Sequence, residues 1–256
     1  MSTATPLSAV IIAKDEEERI VSAIESVAFC DEVLVLDGGS SDRTRELAEG
    51  AGARVLVNAP WPGYVVQRNR ASEHARHDWV LAVDADERVT PALRDEIEAL
   101  RRAGFTHAGY RIPRVAHYMG RFVRATDWYP DPQLRLYDRR RGRWQGHLVH
   151  ESVKVEGPVG RLRHDMEHYT YRDVSHHMQT IDRYTTLWAE QAFAQGQRAG
   201  MVTAFFAAGF AFFRNYVLRR GMMLGAVGLT ISTMNAYYTY AKLAKLIERA
   251  RTTPSG

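Results

Sequence analysis

The sequence predicts an α/β protein built on a mostly parallel sheet, with a helical extension at its C-terminal end. Three observations predict it. Four short apolar runs, residues 8–13, 33–36, 54–57 and 79–83, alternate with segments of helical periodicity, as strands buried on both faces do. Two of these runs end abruptly in acids, Asp37 and Asp84-Ala85-Asp86. From about Val174, long segments with helical spacing replace the strands.

Each element has its own reason. Residues 8–13 are apolar and β-branched, the mark of a buried strand. Lys14-Asp15-Glu16-Glu17-Glu18 follows. Acids in a first turn suit the helix dipole, so this cluster is expected to open a helix running to about Phe29. Ile20, Ala23, Ile24 and Val27 fall on one face of it. Residues 33–36 form a second strand ending at Asp37. Gly38-Gly39-Ser40-Ser41 is a turn, Asp42 caps a helix over 43–50, and Gly52 stands where that helix stops. Residues 54–57 are a third strand, 63–76 a loop and helix, 79–83 a fourth strand. Pro91 starts a helix to about Ala103. No Gly-x-Gly-x-x-Gly follows the first strand and no Gly-x-x-x-x-Gly-Lys-Ser/Thr is present, which argues against a dinucleotide fold and a P-loop.

After about Tyr110 the texture becomes rich in aromatics and arginine, with strand-like pieces at 133–137 and 150–155. Ile181, Tyr184, Thr185, Trp188 and Ala192 then share a helical face. Residues 201–213 are apolar, with five phenylalanines, and residues 221–241 are uncharged. The first run is shorter than the ~20 residues a membrane span needs. Arg214, Arg219, Arg220, Lys242 and Lys245 flank the two. A membrane-surface or re-entrant helical pair is expected; a hairpin buried in the core or in a homo-oligomer is the alternative.

Composition narrows the class. One cysteine, Cys30, in 256 residues excludes a disulfide framework and a cysteine metal site. Residues 1–7 lack a basic stretch followed by an apolar one, so a cytoplasmic location is expected. The net charge of +4 conceals polarity: residues 1–100 hold 10 Lys/Arg against 19 Asp/Glu, residues 101–256 hold 24 against 11. A basic second half suits an anionic partner such as a phosphorylated acceptor or an anionic membrane surface. Trp128, Tyr129, Tyr137 and Trp144 among arginines would also suit base stacking, but the acidic front half argues against nucleic acid.

The acids at the strand ends carry the chemistry. Two carboxylates closing a buried strand are costly unless a cation joins them, and a hard divalent ion held jointly with substrate phosphates is the usual partner. Ligands of open α/β sheets sit at the carboxyl ends of the strands. A solvated turn would show the same Asp-x-Asp pair. With Asp37 ending a second strand, the combination is more specific than either piece. His164-x-x-x-His168 has the spacing of helical zinc ligands but lacks the Glu that follows the first His in such sites. An oxygen-rich site favours Mg²⁺ or Mn²⁺.

The segments Ala9-Val10-Ile11-Ile12-Ala13-Lys14-Asp15-Glu16-Glu17, Asp37-Gly38-Gly39-Ser40-Ser41-Asp42-Arg43-Thr44 and Asp84-Ala85-Asp86-Glu87 resemble family 2 glycosyltransferases of the GT-A fold. Asp131-Pro132-Gln133-Leu134-Arg135-Leu136-Tyr137, Leu148-Val149-His150-Glu151-Ser152-Val153 and Arg183-Tyr184-Thr185-Thr186 narrow the resemblance to lipopolysaccharide-core glucosyltransferases of the WaaE/KdtX type. The resemblance implies a GT-A domain over residues 1–172, with a donor half at 1–109 and an acceptor half at 110–172, and a helical extension over 173–256. It implies inverting transfer from a nucleotide-sugar, UDP-glucose first, to a lipid-linked or lipopolysaccharide-core acceptor. Asp37 matches the position that reads the nucleobase, Asp84 the ribose or metal-proximal position, and Asp86 the metal ligand.

Lys14, Asp15 and Glu16 would line the nucleotide, or merely cap the helix. Arg135 would hold the diphosphate, or form an ordinary ion pair. The base that takes the acceptor proton is expected at Glu151, oriented by His150, or at Asp131 between Pro130 and Pro132. Arginine pairing for Glu151 and a plain turn for Asp131 are the alternatives. A sugar-phosphate nucleotidyltransferase is the rival enzyme, though the acidic Lys14–Glu18 cluster stands where that class has a basic Gly-rich loop. A non-catalytic saccharide-binding module is the rival outside enzymes, and the retained Asp84 and Asp86 weigh against it.

Overall fold

Strand β1 (Leu7–Ala13) is buried along its whole length, and its side chains separate by parity. Leu7, Ala9, Ile11 and Ala13 join one apolar cluster; Val10 and Ile12 join another. A period of two places successive side chains on opposite faces, so β1 lies in the middle of a sheet covered on both sides. A computed structural model supplies this fold and describes residues 4–146 and 151–252. Of these, residues up to 115 and from 131 to 168 form one compact unit; residues 116–130 and from 169 onward form a second. The second unit thus takes in a segment that the sequence places in the acceptor half.

In the first unit the remaining elements are α1 (Ile20–Ser26), β2 (Glu32–Asp37), α2 (Thr44–Gly50), β3 (Arg54–Val57), α3 (Tyr64–His74), β4 (Trp79–Asp84), β5 (Glu87–Val89) and α4 (Pro91–Ala103). After them come β6 (Gly109–Tyr118), which runs on into the second unit, β7 (Arg121–Val123), which lies there, then β8 (Asp131–Asp138), β9 (Gly142–Gln145), β10 (Ser152–Val155), β11 (Val159–Arg161) and β12 (Met166–His168). The sheet order is β3-β2-β1-β4-β8-β6-β12-β5. The four strands read as apolar runs are mutually parallel. From β8, antiparallel to β4, the sheet is mixed. β9 and β10 form a separate antiparallel pair.

Ile20, Ile24, Leu93 and Ile97 cover one face, from α1 and α4. Ala71 of α3 with Trp144 and Val153 covers the other. Each fully buried Ile or Leu stabilises the unit by about 1.5–3 kcal/mol. Thr90 caps α4 by accepting from the Leu93 amide, with Pro91 in the first turn.

The segment after β1 departs from expectation. Residues 14–19 are turn rather than helix, and α1 runs only from Ile20 to Ser26. Asp15 adopts φ 55°, its amide donates to Ser40 Oγ at 2.9 Å, and its carboxylate accepts from the Ser41 amide at 2.8 Å. The left-handed Asp15 and these bonds to a neighbouring loop hold residues 14–19 out of helical geometry. The carboxylates of Asp15 and Glu17, which accept from the Ser41 and Arg43 amides, are therefore latches between loops.

The second unit contains α5 (Val174–Ala194), α6 (Met201–Phe213) and α7 (Ala226–Thr252). α6 continues through a π turn, Arg214–Leu218, and a short 3-10 turn, Gly221–Leu224, precedes α7. A Cβ on Gly228 would overlap the Gly221 backbone, so glycine inside α7 permits this close approach. On α5, Ile181, Thr185 and Ala192 are buried and Tyr184 and Trp188 half-buried. On α6, by contrast, Val202, Phe205, Phe206 and Phe210 are 58–72% exposed. The stretch Met201–Leu218 is long and apolar enough to cross a membrane by length and composition, with 17% of it buried.

Candidate active site

Register places the acids. Ala13 at the end of β1 pairs with Asp37 on β2, and Ile12 pairs with Asp84 on β4. Asp37 and Asp84 therefore flank β1 on either side at its carboxyl end, two strand spacings or about 10 Å apart. This is the edge where open α/β sheets take ligands.

Asp37 is fully buried. Its carboxylate accepts from the amides of Gly39 at 2.9 Å and Ser40 at 3.0 Å, and from Ser40 Oγ. It builds the turn after β2, and Arg45 Nε stands 3.9 Å off. A Cβ on Gly38 would overlap the Trp61 ring, so this aromatic packs directly on the backbone beside Asp37. The neighbouring loop is tied in: the Glu16 amide donates to Thr44 Oγ1 at 2.8 Å, and the Arg43 amide to Glu17 at 3.1 Å. Thus Asp15 and Glu16 help shape the mouth of the edge, while Lys14 is exposed there.

Asp84 begins a chain of alternating charge. Arg68 grips it with Nη1 at 2.7 Å from Oδ1 and Nη2 at 3.0 Å from Oδ2. Arg135 Nη2 lies 2.6 Å from Asp84 Oδ2 and 2.7 Å from Glu87 Oε1. Arg114 joins Glu87 at 2.9 Å and Asp131 at 2.9 Å. The Arg68 guanidinium also sits 4.4 Å above the Trp144 ring. Burial would raise the Asp84 carboxyl, but Arg135 and Arg68 outweigh it and hold the group well below the usual carboxylate range. Burial opposes the charge on Arg135 too, and Asp84 and Glu87 more than offset it. The Arg135 guanidinium is 3% exposed as a residue and committed to two carboxylates, rather than standing open to a phosphate.

Asp86 is different. Among the described residues its carboxylate meets no guanidinium, and its ion-pair neighbour is His168 Nε2 at 3.4 Å. His164 pairs instead with Glu96 at 2.8 Å, and His168 closes strand β12, so the two histidines do not share a helical face. No group of three or more His, Cys, Asp or Glu able to hold a metal exists among the described residues. The donor set fits Mg²⁺ or Mn²⁺ only in the manner of a substrate-bridged ion, with one or two protein ligands completed by phosphate oxygens and water. A partly exposed Asp86 beside a neutralised Asp84 meets that requirement.

The two candidate bases fare unequally. Asp131 is the first residue of β8 and not part of a turn. Burial raises its carboxyl, but Arg114 and its hydrogen bonds prevail and hold it below the usual range, which makes it a weak proton acceptor. Glu151, half-buried just before β10, forms no ion pair among the described residues. Residues 147–150, His150 among them, lie outside the described residues.

Arg68, Glu87, Arg114 and His168 belong to this site and were not singled out for it by sequence. Glu87 follows Asp86 directly, which was a usable signal. Arg68 gave none: it lies in a polar helix whose buried side only packing defines.

Residues 8–155 match the model of Glycosyl transferase family 2. The chain is 30% identical over 250 residues to the lipopolysaccharide core biosynthesis glycosyltransferase LpsC of Rhizobium meliloti, covering 95% of this chain and 93% of that one. An uncharacterized glycosyltransferase of Rickettsia bellii is 30% identical over 94% of this chain and 86% of its own. Among solved structures, glucosyl-3-phosphoglycerate synthase of Mycobacterium tuberculosis, with Mn²⁺, UDP and glucosyl-3-phosphoglycerate bound, aligns over 45% of each chain at 26% identity and a TM-score of 0.37. By the extent of the family match and of the likeness to LpsC, the chain belongs to glycosyl transferase family 2 and is a transferase with the GT-A fold.

Proposed function

We propose that this transferase moves a hexose, glucose from UDP-glucose first among candidates, onto a lipid-linked saccharide of the lipopolysaccharide inner core, with inversion. The observation that carries the reading is the contrast between Asp84 and Asp86 at the end of β4: one carboxylate is neutralised by Arg68 and Arg135, the other meets no guanidinium among the described residues and has His168 beside it. Asp86 would hold Mg²⁺ or Mn²⁺, with Asp84 beside it. When bound, the ion neutralises charge on the departing diphosphate. The name of the relative LpsC and the basic second half of the chain support this acceptor.

In the transfer an acceptor hydroxyl oxygen bonds to the anomeric carbon as the bond from that carbon to the diphosphate breaks. The hydroxyl proton passes to a carboxylate. Glu151 is the better candidate, because Arg114 lowers the basicity of Asp131. The turn built on Asp37, with Trp61 against Gly38, would receive the nucleoside. The exposed phenylalanines of α6, with Arg214, Arg219 and Arg220 following, suit peripheral attachment to the cytoplasmic face of an anionic membrane.

The test is calorimetric titration of the protein with nucleoside diphosphates and their sugars, with and without Mn²⁺, followed by NMR of the product formed on core oligosaccharide. Metal-dependent binding of a uridine nucleotide and a β-linked product from an α-linked donor are expected. A folded protein that binds no nucleotide would overturn the reading.

A further inference from the structure

The second unit holds a partly open cavity of about 200 Å³, distinct in its residues from the strand-end site. Four aromatic side chains, Trp128, Tyr171, Tyr184 and Tyr238, line it together with the polar His177 and Asn235. Tyr171 stacks on the His177 ring at 4.1 Å, and Trp128 stands 5.8 Å from Tyr171. At about 30 Å³ per water, the space corresponds to roughly seven waters: room for one sugar ring, not for several.

Two of its polar residues, Asn235 and His177, keep side-chain atoms without a hydrogen bond among the described residues. The Asn235 backbone carbonyl accepts from Thr239, but its side-chain amide makes no hydrogen bond among the described residues. The His177 Nδ1 is engaged by Tyr118 Oη at 3.0 Å, which leaves Nε2 without a protein partner among the described residues. Burial, with His176 beside it, pushes the His177 imidazole down to about 4. At neutral pH the ring is uncharged, with one nitrogen donating and one accepting.

An aromatic cavity could equally cage a quaternary ammonium. Two observations decide against that. Among the described residues no carboxylate lines the cavity. The ammonium of Lys242 already stands 5.5 Å from the Tyr238 ring centre and 4.9 Å from that of Trp188, so a second cation would be repelled. Aromatic faces with neutral donors and acceptors instead match a pyranose, whose C–H face packs on rings while its hydroxyls bond to amide and imidazole.

We propose that this cavity is a saccharide site that seats a single pyranose ring of the acceptor, built from α5, α7 and the Trp128 segment. The source of that ring rests on the transferase reading above; the site itself rests on the cavity.

The experiment uses the full chain and deacylated lipopolysaccharide core oligosaccharide as probe, followed by saturation-transfer NMR, with UDP and Mn²⁺ titrated in parallel. Asn235→Ala and Tyr184→Phe each remove polar groups with little change of packing and are expected to weaken oligosaccharide binding by roughly three- to tenfold. Combined with Tyr184→Ala in place of Phe, the loss is larger. UDP affinity is expected to stay unchanged. Equal oligosaccharide affinity in wild type and variants overturns the cavity site, as does a wild type that binds UDP but no oligosaccharide, or displacement of the probe by tetramethylammonium. Loss of UDP binding with intact, variant-sensitive oligosaccharide binding overturns the donor reading and leaves the cavity site standing.

Discussion

Arg135 donates to Asp84 at 2.6 Å from inside the sheet, with its side chain 4% exposed and its other carboxylate partner, Glu87, wholly buried. Removing one member of a buried ion pair leaves an uncompensated charge. Arg135→Met is therefore expected to destabilise the first unit by about 3–5 kcal/mol, read as a lower urea midpoint. Arg135→Lys keeps the charge but loses the planar fork that spans two carboxylates, and falls between. An unchanged midpoint for Arg135→Met would mean that the chain from Arg68 to Asp131 contributes nothing to folding.

Asp86 has the opposite profile. Its ion-pair neighbour among the described residues is a histidine at 3.4 Å, and its side chain is 23% exposed. Asp86→Asn is expected to leave the melting temperature near wild type while lowering metal-dependent turnover about 100-fold, some 3 kcal/mol of barrier. Mn²⁺ titration should show weaker metal binding in the presence of UDP. Turnover with the wild-type Mn²⁺ dependence would remove Asp86 from the metal site.

His177 makes stability depend on pH. Its folded value of about 4 lies below the ordinary 6.5, so the unfolded chain takes up a proton in this interval and the folded chain does not. Stability is full above pH 6.5 and declines as pH falls toward 4. The groups facing the ring are Tyr118, Tyr171, Trp128 and His176; none is a carboxylate that would retain its proton. His177→Gln should flatten this part of the profile, by on the order of 2 kcal/mol at its lower end. Parallel pH profiles for the two proteins would contradict the assignment.

The apolar surface of α6 predicts attachment to lipid. Phe205 and Phe206 are each 70% exposed, and Arg214, Arg219 and Arg220 follow them in the chain. Wild type is expected to sediment with vesicles containing anionic phospholipid, less so as salt rises. A Phe205→Glu, Phe206→Glu double variant should stay in the supernatant while remaining folded. Sedimentation equal to wild type would assign these side chains to another partner, such as a second copy of the chain.

The four parallel strands, most helix limits and the acidic strand ends were readable from residue order alone, because they depend on local matters; the short strands of the mixed part of the sheet, such as β5, β11 and β12, were not. Apolar runs of four to seven residues, a Thr-Pro helix start at Thr90 and Pro91, and Asp37 and Asp84 closing two strands all concern side chains within a few positions of one another. Parallel pairing then put Asp37 beside Ala13 and Asp84 beside Ile12, on either side of the end of β1. The helix expected from Lys14 begins only at Ile20, since Asp15 bonds to Ser40 and Ser41, 25 and 26 positions away.

Which carboxylate stays available was decided only in three dimensions. Asp84 and Asp86 look equivalent in sequence, and so do Arg68, Arg114 and Arg135 among the chain's many arginines. Burial makes an unpaired charge costly: Glu87, wholly buried, is held by Arg114 and Arg135, while Arg68 and Arg135 hold Asp84 and Arg114 reaches on to the more exposed Asp131, the three guanidiniums coming from α3, β6 and β8. Asp86, two residues further along and 23% exposed, meets no guanidinium among the described residues. The aromatic cavity has the same origin: Trp128, Tyr171, Tyr184 and Tyr238 span 110 positions and meet only through the packing of α5, α7 and the segment before β8. Local chemistry wrote the strands and their acids; long-range packing chose which charges to neutralise and which to leave for a ligand.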